Sequence, residues 1–161
     1  MWRLALQCPR VAAIAAACSL PAVSTLAVAS EPLAGRWLAR DASSGVESTI
    51  ELFLESDQMY GRIVSLRTQD GEVFDPICTG CKGALKDAKV VGAIFITGLR
   101  RSGDKWVGGK VVDLRPGPMQ GTIANCEIEL LQGRVKLFGY LWLRWLSGTD
   151  YWERAPAQPQ P

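Results

Sequence analysis

The sequence predicts an all-β protein whose strands form an eight-stranded antiparallel up-and-down β-barrel. Short segments in which apolar and polar residues alternate recur at a spacing of roughly ten residues, which is typical of all-β folds. Most of these segments are separated by brief turns rich in Gly, Asp and Ser. Strands joined by tight turns are antiparallel, because a parallel crossover needs about a dozen residues. Closing such a sheet on itself removes its exposed edges, and an open two-sheet sandwich is the alternative.

The first 29 residues have the pattern of a signal peptide. Arg3 and Arg10 give a positively charged start, an apolar run follows from Val11 to Leu20, and small residues precede a cleavage site after Ala29. The apolar run is too short to span a bilayer as a retained helix. In the alternative, Cys18 is the lipidated residue of a lipoprotein, but the leucine usual three residues earlier is absent. We therefore expect an exported protein.

Residues 30–154 are expected to form one barrel domain with eight strands. In the second strand Ile50 and Leu52 fall on one face and Glu47 and Glu51 on the other, which is typical of a half-buried strand. The eight segments are, in order, GRWLAR (35–40), VESTIELFLE (46–55), MYGRIVSL (59–66), VVGAIFITGLR (90–100), KWVGGKVVD (105–113), GTIANCEIELL (121–131), RVKLFGYLWLRWL (134–146) and YWERA (151–155).

The segments between the strands are predicted to be loops and turns. "SGTD", residues 147–150, is read as a turn into the last strand. One long loop, residues 67–89, carries two cysteines, and residues 84–89 within it suffice for one short helical turn. The proline-rich tail, residues 155–161, is expected to be unstructured.

The interior of an eight-stranded barrel is either filled by side chains or holds one small ligand. Trp37, Phe95 and Trp106 are bulky residues available to fill it. If the interior is open, the same three residues and Asp113 are the candidate ligand contacts. Asp113 ends an apolar strand and precedes a proline-rich loop, so the alternative is that it initiates a turn.

The seventh segment is apolar on both faces. If alternate residues from Val135 onward fill the barrel, Phe138, Tyr140 and Trp142 point outward. An exposed aromatic stripe of this kind marks an interaction surface for a partner, a second copy or a membrane. The alternative is that a long loop of the same chain covers it.

The composition excludes several classes of function. The chain contains no histidine, so it has no Ser-His-Asp triad, no Cys-His pair and no imidazole metal ligand. Removing the leader reduces the 18 Lys and Arg residues to 16, which equals the 16 Asp and Glu residues. A net charge of zero argues against a nucleic-acid partner. We expect no nucleic acid, no cofactor and no metal ion.

Three cysteines remain after cleavage, Cys78, Cys81 and Cys126. In an oxidising compartment Cys78 and Cys81 are expected to form a disulfide that fixes the long loop. A redox motif would need a sizeable helix after the pair, and a metal site would compete with disulfide formation. Cys126 falls on the apolar face of its strand and is read as a small buried residue. A disulfide between Cys81 and Cys126 is the alternative pairing.

Several motifs together resemble a known family. They are Gly35-x-Trp37, YGRIV (60–64), Cys78-x-x-Cys81-x-Gly83, VGAIFITGL (91–99), WVGGKVVD (106–113) and TDYWER (149–154). In this order they resemble an exported bacterial family known as domain of unknown function twenty-one forty-seven, over residues 35–154. The resemblance implies a small lipocalin-like barrel in the bacterial envelope and implies no activity. The chain departs from the family pattern at residues 113–119, where the proline is displaced and a lysine and a tyrosine are absent.

These observations favour a non-enzymatic protein of the bacterial periplasm or exterior that binds a small apolar ligand or an envelope component. One alternative is a thiol-active redox protein that uses Cys78 and Cys81. The other is a structural adaptor that acts through the aromatic stripe of Phe138, Tyr140 and Trp142. The sequence does not predict the ligand or the oligomeric state.

Overall fold

The computed structural model describes residues 31–142 and 147–156. The predicted signal peptide, with the Cys18 alternative, lies outside the described residues, and so does most of the proline-rich tail. The described elements are β1 (Gly35–Arg40), β2 (Glu47–Glu55), β3 (Gln58–Arg67), β4 (Val73–Phe74), a 3₁₀ turn (Gly83–Leu85), β5 (Ile94–Ser102), β6 (Lys105–Val112), β7 (Ile123–Leu131), β8 (Arg134–Tyr140) and β9 (Ser147–Arg154).

The long strands close into an eight-stranded antiparallel barrel, which confirms the predicted fold. Around the barrel the order is β1, β2, β3, β5, β6, β7, β8 and β9, and β9 returns to pair with β1. The two-residue strand β4 only extends the sheet beside the end of β3. Because the sheet closes, the open two-sheet sandwich is wrong.

The two ends of the barrel differ. At one end tight turns join β2 to β3, β5 to β6 and β7 to β8, and residues 31–34 lie across the base of β1. At the other end the connections are longer, notably residues 41–46, 68–93 and 113–122. We call these the closed end and the open end. In the described residues no helix is both long enough and apolar enough to cross a membrane.

Trp37 closes the barrel at its closed end. It is fully buried, and its indole Nε1 donates a hydrogen bond to the carbonyl of Leu33 at 2.8 Å. The guanidinium of Arg154 lies 3.7 Å from the centre of the Trp37 ring. Arg154 also donates to the carbonyls of Ala34 and Pro32, at 3.1 and 2.7 Å. One arginine thus joins the last strand, the first strand and the segment before it.

Side chains fill the half of the barrel nearest the closed end. Leu99 packs where β6 carries Gly109, and a Cβ on that glycine would lie 2.5 Å from the Leu99 Cγ. The large side chains buried in this core are Trp37, Leu52, Met59, Ile96, Leu99, Trp106, Ile128 and Val135. Of the two alternatives for the interior, filling by side chains therefore holds for this half of the barrel.

Two boundaries differ from the sequence prediction. The segment predicted as a strand from residue 90 enters β5 only at Ile94, and Val90 is instead buried within the long loop. "SGTD" is not a turn: β9 begins at Ser147, which pairs with Tyr140 of β8. The last part of the predicted seventh strand, residues 143–146, lies outside the described residues.

Candidate functional site

A cavity of about 750 Å³ occupies the half of the barrel at the open end. Each of the eight barrel strands contributes to its wall, and β4 contributes Phe74. Pockets for small molecules have volumes of about 300–1,000 Å³, so this cavity has the size of a ligand site. The barrel interior is therefore filled at one end and open at the other.

The deeper part of the cavity is apolar. Ile50, Ile63, Phe95 and Trp152 line it, and each of them is less than a tenth exposed to solvent. Leu137 of β8 adds a partly buried side chain that packs on the same core. Such a surface favours contact with an apolar ligand over contact with water.

Polar side chains gather where the cavity opens. Asp113 accepts two hydrogen bonds from the Arg115 guanidinium, at 2.9 and 2.7 Å, and a third from the Arg115 backbone N–H at 3.0 Å. The bonds from the guanidinium raise the pKa of Arg115, and the charges of Asp41, Asp113 and Asp150 add to this effect. Arg115 and these three carboxylates all line the cavity, and we call the four residues the mouth cluster.

The other two carboxylates of the mouth cluster are held by neighbours in sequence. Asp41 accepts hydrogen bonds from the backbone N–H and hydroxyl of Ser43, at 2.8 and 2.6 Å. These bonds, with a smaller contribution from the charge of Arg115, lower the pKa of Asp41. Asp150 accepts from the indole Nε1 of Trp152 at 2.8 Å. It thus lies directly above an apolar residue of the cavity wall.

The long loop covers one side of the opening. Its residues Phe74, Pro76 and Val90 line the cavity. The disulfide between Cys78 and Cys81, both buried, closes a tight ring in this loop, with their Cα atoms 5.4 Å apart. A helical turn is predicted within residues 84–89, and the structure has a 3₁₀ turn slightly earlier, from Gly83 to Leu85.

The disulfide ring docks on the loop between β6 and β7. The side-chain oxygen of Gln120 accepts from the backbone N–H of Gly80 at 3.0 Å, and its amide donates to the Leu114 carbonyl at 3.3 Å. A Cβ on Gly121 would lie 2.2 Å from the Gly80 carbonyl oxygen. The two loops therefore touch through backbone, which requires glycine on both sides.

The predicted ligand contacts fall into two groups. Phe95 and Asp113 line the cavity. Trp37 and Trp106 are buried in the filled half of the barrel, outside the cavity lining. Asp113 also organises its loop as a turn residue, since its backbone N–H and C=O bond to Thr122 and Gly121. Ligand contact by any of these residues stays a prediction.

The predicted aromatic stripe lies beside the opening. Phe138 and Tyr140 are half-buried and stack with their ring centres 5.6 Å apart. Trp142 is 78% exposed. The disulfide ring contacts the loop between β6 and β7, and cover of the stripe by the long loop stays a prediction. Interaction through the stripe stays a prediction.

Cys126 is a free thiol that is fully buried in β7. Burial raises its pKa from 9.0 to about 12. The interpretation of this residue as a small buried side chain agrees with the structure, and the alternative disulfide with Cys81 is wrong because Cys81 is bonded to Cys78.

A smaller depression of about 170 Å³ lies on the outer surface of β6, β7 and β8. Glu129 lies in it between Lys105 and Lys136, with N–O distances of 2.9 and 3.0 Å. Hydrogen bonds from the two lysines lower the pKa of Glu129. The charges are already paired within the chain, so the large cavity is the better candidate for a ligand.

The sequence profile of one family matches residues 35–154, and its description is "Uncharacterized protein conserved in bacteria (DUF2147)". The match covers most of the chain. The chain belongs to this family. No curated protein is significantly similar to it in sequence.

The fold of this chain is similar to that of a solved structure. Protein HP1028 from Helicobacter pylori, described as belonging to the lipocalin family, superposes with a TM-score of 0.63 at 16% sequence identity. The match covers 77% of this chain and 83% of HP1028. At this identity the likeness concerns the fold alone, a lipocalin-like barrel.

Three members of the mouth cluster have no signal in the sequence that marks them as site residues. Asp41 and Asp150 lie in DASSG and SGTD, two segments that have the composition of ordinary turns. Arg115 lies in the loop that departs from the family pattern. Only Asp113 was a candidate, and its signal was an acidic residue placed directly after an apolar strand.

Proposed function

We propose that this protein is an exported bacterial envelope protein that binds a small apolar ligand, without catalysing a reaction on it, in the cavity at the open end of the barrel. The observation that carries the proposal is the cavity of about 750 Å³ within a barrel whose other half is filled. A small barrel that only needed stability would gain from filling this space with side chains.

The fold supports the same proposal. Closed barrels of this size either pack their interior or hold one small ligand. The deeper wall of the cavity is made of apolar residues such as Ile50, Ile63 and Phe95, which gives a ligand an apolar environment. The chain lacks histidine, so the commonest general base near neutral pH is absent from the site.

Filling the cavity tests the proposal. Gly139 of β8 lines the cavity, and a Cβ added there would lie 3.8 Å from Val111 Cγ1, an ordinary contact. We expect Gly139→Phe to weaken binding of the neutral dye N-phenyl-1-naphthylamine by at least about tenfold, or about 1.4 kcal/mol. Fluorescence titration measures the affinity.

Leu54→Phe is the matched control. Leu54 lies at the closed end of β2, is 46% exposed and is outside the cavity lining. This substitution should leave dye binding unchanged. Equal dye affinity in the two variants, together with no small molecule in mass spectra of protein purified from its native envelope, would contradict the proposal.

Export has its own test. Intact-mass measurement of the protein recovered from cell envelopes should give a chain that starts at Ser30. A chain that keeps Arg3 and Arg10 and stays in the cytoplasmic fraction would contradict export.

The redox alternative receives little support from the geometry of Cys78 and Cys81. Both sulfur-bearing residues are buried, at 0% and 4% exposure. A thiolate with a lowered pKa is usual at the N-terminus of a sizeable helix, whereas a single 3₁₀ turn follows this pair. A structural disulfide accounts for the same observations.

A further inference from the structure

We propose that the cavity selects amphiphiles with an apolar tail and a cationic head group, of which a long-chain amine is the simplest case. This inference rests on the proposed function, because it names the ligand class of the same cavity. The site is the cavity itself, and the charges at its mouth determine which head group it accepts.

The two ends of the cavity differ in polarity. Its deeper part is apolar, and Trp152 in its wall is 1% exposed. Its mouth carries Asp41, Asp113, Arg115 and Asp150. A ligand that satisfies both parts has an apolar tail towards the core and a polar head at the mouth.

The charges at the mouth do not balance. Arg40 also lines the opening, but its charge is met by Glu47 at 3.0 Å. Arg115 is paired with Asp113 through two parallel hydrogen bonds. Among the described residues that line the cavity, this leaves the negative charges of Asp41 and Asp150 in excess.

An anionic head group meets a poor site. Asp113 already neutralises the guanidinium of Arg115 through a bidentate pair, so a fatty-acid carboxylate that bonds the remaining N–H groups of Arg115 gains no net charge attraction from this pair. It would then lie beside Asp41 and Asp150, and like charges at short range repel. The one cation of the mouth cluster is thus already neutralised by Asp113 and offers an anionic ligand little charge attraction.

A cationic head group meets a good site. The Asp150 carboxylate accepts from the Tyr151 backbone N–H at 3.0 Å and from the Trp152 indole N–H at 2.8 Å. A carboxylate has roughly four acceptor positions, so two remain for the N–H groups of an ammonium. Trp152, which bonds Asp150, also forms the apolar wall where the tail would begin.

The spacing of the carboxylates suits an organic cation. Among the described residues, no three His, Cys, Asp or Glu side chains lie close enough together to hold a metal ion. The carboxylates instead lie along the mouth with Arg115, and among them Asp113 bonds its guanidinium. Such a spread of negative charge attracts a head group attached to a tail, without the convergent geometry that a metal ion needs.

Three ligands with one tail test the proposal at pH 7. Decylammonium, decanol and decanoate displace N-phenyl-1-naphthylamine from the wild-type protein, and fluorescence gives each affinity. We expect decylammonium to bind at least about fivefold more tightly than decanol, and decanoate at least about fivefold more weakly, since a charge pair near a surface contributes about 1 kcal/mol. Raising the salt concentration should reduce both differences.

Isosteric variants assign the effect to residues. Asp150→Asn keeps the acceptor for Trp152 and removes the charge, so it should reduce the ratio of decylammonium to decanol affinity at least about threefold. Asp41→Asn should act in the same direction. Asp57→Asn is the control, because Asp57 lies in the turn between β2 and β3 at the closed end and changes the net charge equally.

The outcomes separate the two proposals. If neither the dye nor any of the three ligands binds, the proposed function fails. If all three bind and decanoate is equal or better, ligand binding stands and the inference is overturned. The inference is also overturned if decylammonium is preferred but Asp150→Asn and Asp41→Asn change the ratio no more than Asp57→Asn does.

Discussion

At the scale of a single residue, the reactivity of the free Cys126 thiol reports how well the barrel shields its interior. It is fully buried, and burial raises its pKa to about 12. The thiolate is the form that reacts with alkylating agents, so the folded protein protects this residue in two ways. Its role in the protein is packing.

We therefore expect Cys126 to resist iodoacetamide in the folded protein at pH 8 and to react within minutes in denaturant. Peptide mass spectrometry measures the labelled fraction. The pKa is 9.0 for an ordinary thiol and about 12 for Cys126 in the folded protein. The contribution of the protonated Cys126 thiol to the free energy of unfolding is therefore complete below pH 9 and is lost as the pH rises towards 12. Cys126→Ala should flatten the alkaline decline in the free energy of unfolding. If iodoacetamide labelled Cys126 as fast in the folded protein as in the denatured protein, this prediction would be wrong.

The disulfide ring (residues 78–81) and the loop between β6 and β7 (residues 113–122), which we call the docked loops, are the least regular elements of the fold. Their contact depends on the close approach of Gly121 to Gly80. Gly121 has a φ of +83° and lies directly against the carbonyl of Gly80. Gln120 adds hydrogen bonds to both loops. A side chain at position 121 must therefore separate the disulfide ring from the loop between β6 and β7.

Gly121→Ala should lower the free energy of unfolding by about 2–4 kcal/mol, from a strained φ and a backbone clash together. Gly117→Ala is the control in the same loop: its φ is +140°, and a Cβ there meets nothing within 4 Å. The control should cost about 1 kcal/mol, for the φ alone. Urea denaturation measures both values, and equal losses would show that the two loops do not need to dock.

The strands were predictable from sequence to the extent that their two faces differ in polarity. β1 to β3, β6 and β7 pack apolar side chains on a core, so they carry the alternation that marks a strand. The start of β9 does not, because Asp150, on its inward face, borders an open cavity and has no reason to be apolar. Its polar residues therefore have the composition of a turn.

The same physical cause limits prediction of the site. Asp113 was found because it follows an apolar strand, whereas Asp41 and Asp150 have no local signal. They meet Arg115 only because the barrel brings the loop after β1, the loop after β6 and the strand β9 to one end. Closure of the sheet creates this site, and sequence spacing does not encode it.

On the scale of the whole molecule, the barrel closes through the short pairing of β1 with β9, which we call the seam. β1 pairs with β2 along its full length, but in the described residues it pairs with β9 through Trp37 with Arg154 and Leu38 with Glu153, and the Ala155 N–H bonds the Arg36 carbonyl just beyond them. Both pairs lie towards the closed end, where Arg154 bonds the segment before β1. The seam is therefore stabilised at the filled end, and it is weakest beside the cavity.

We expect the backbone amides of the β1–β9 seam to exchange with solvent faster than those between β2 and β3, by local opening of the barrel. Arg154→Lys should speed exchange at the seam several-fold, because lysine lacks the planar fork that stacks on Trp37 and bonds two carbonyls. Arg40→Lys is the control, since lysine can still pair with Glu47. Hydrogen exchange measured by mass spectrometry distinguishes the two variants. Uniform protection in all strands would mean that the barrel opens only by global unfolding, and a ligand would then have to enter through the mouth beside the docked loops.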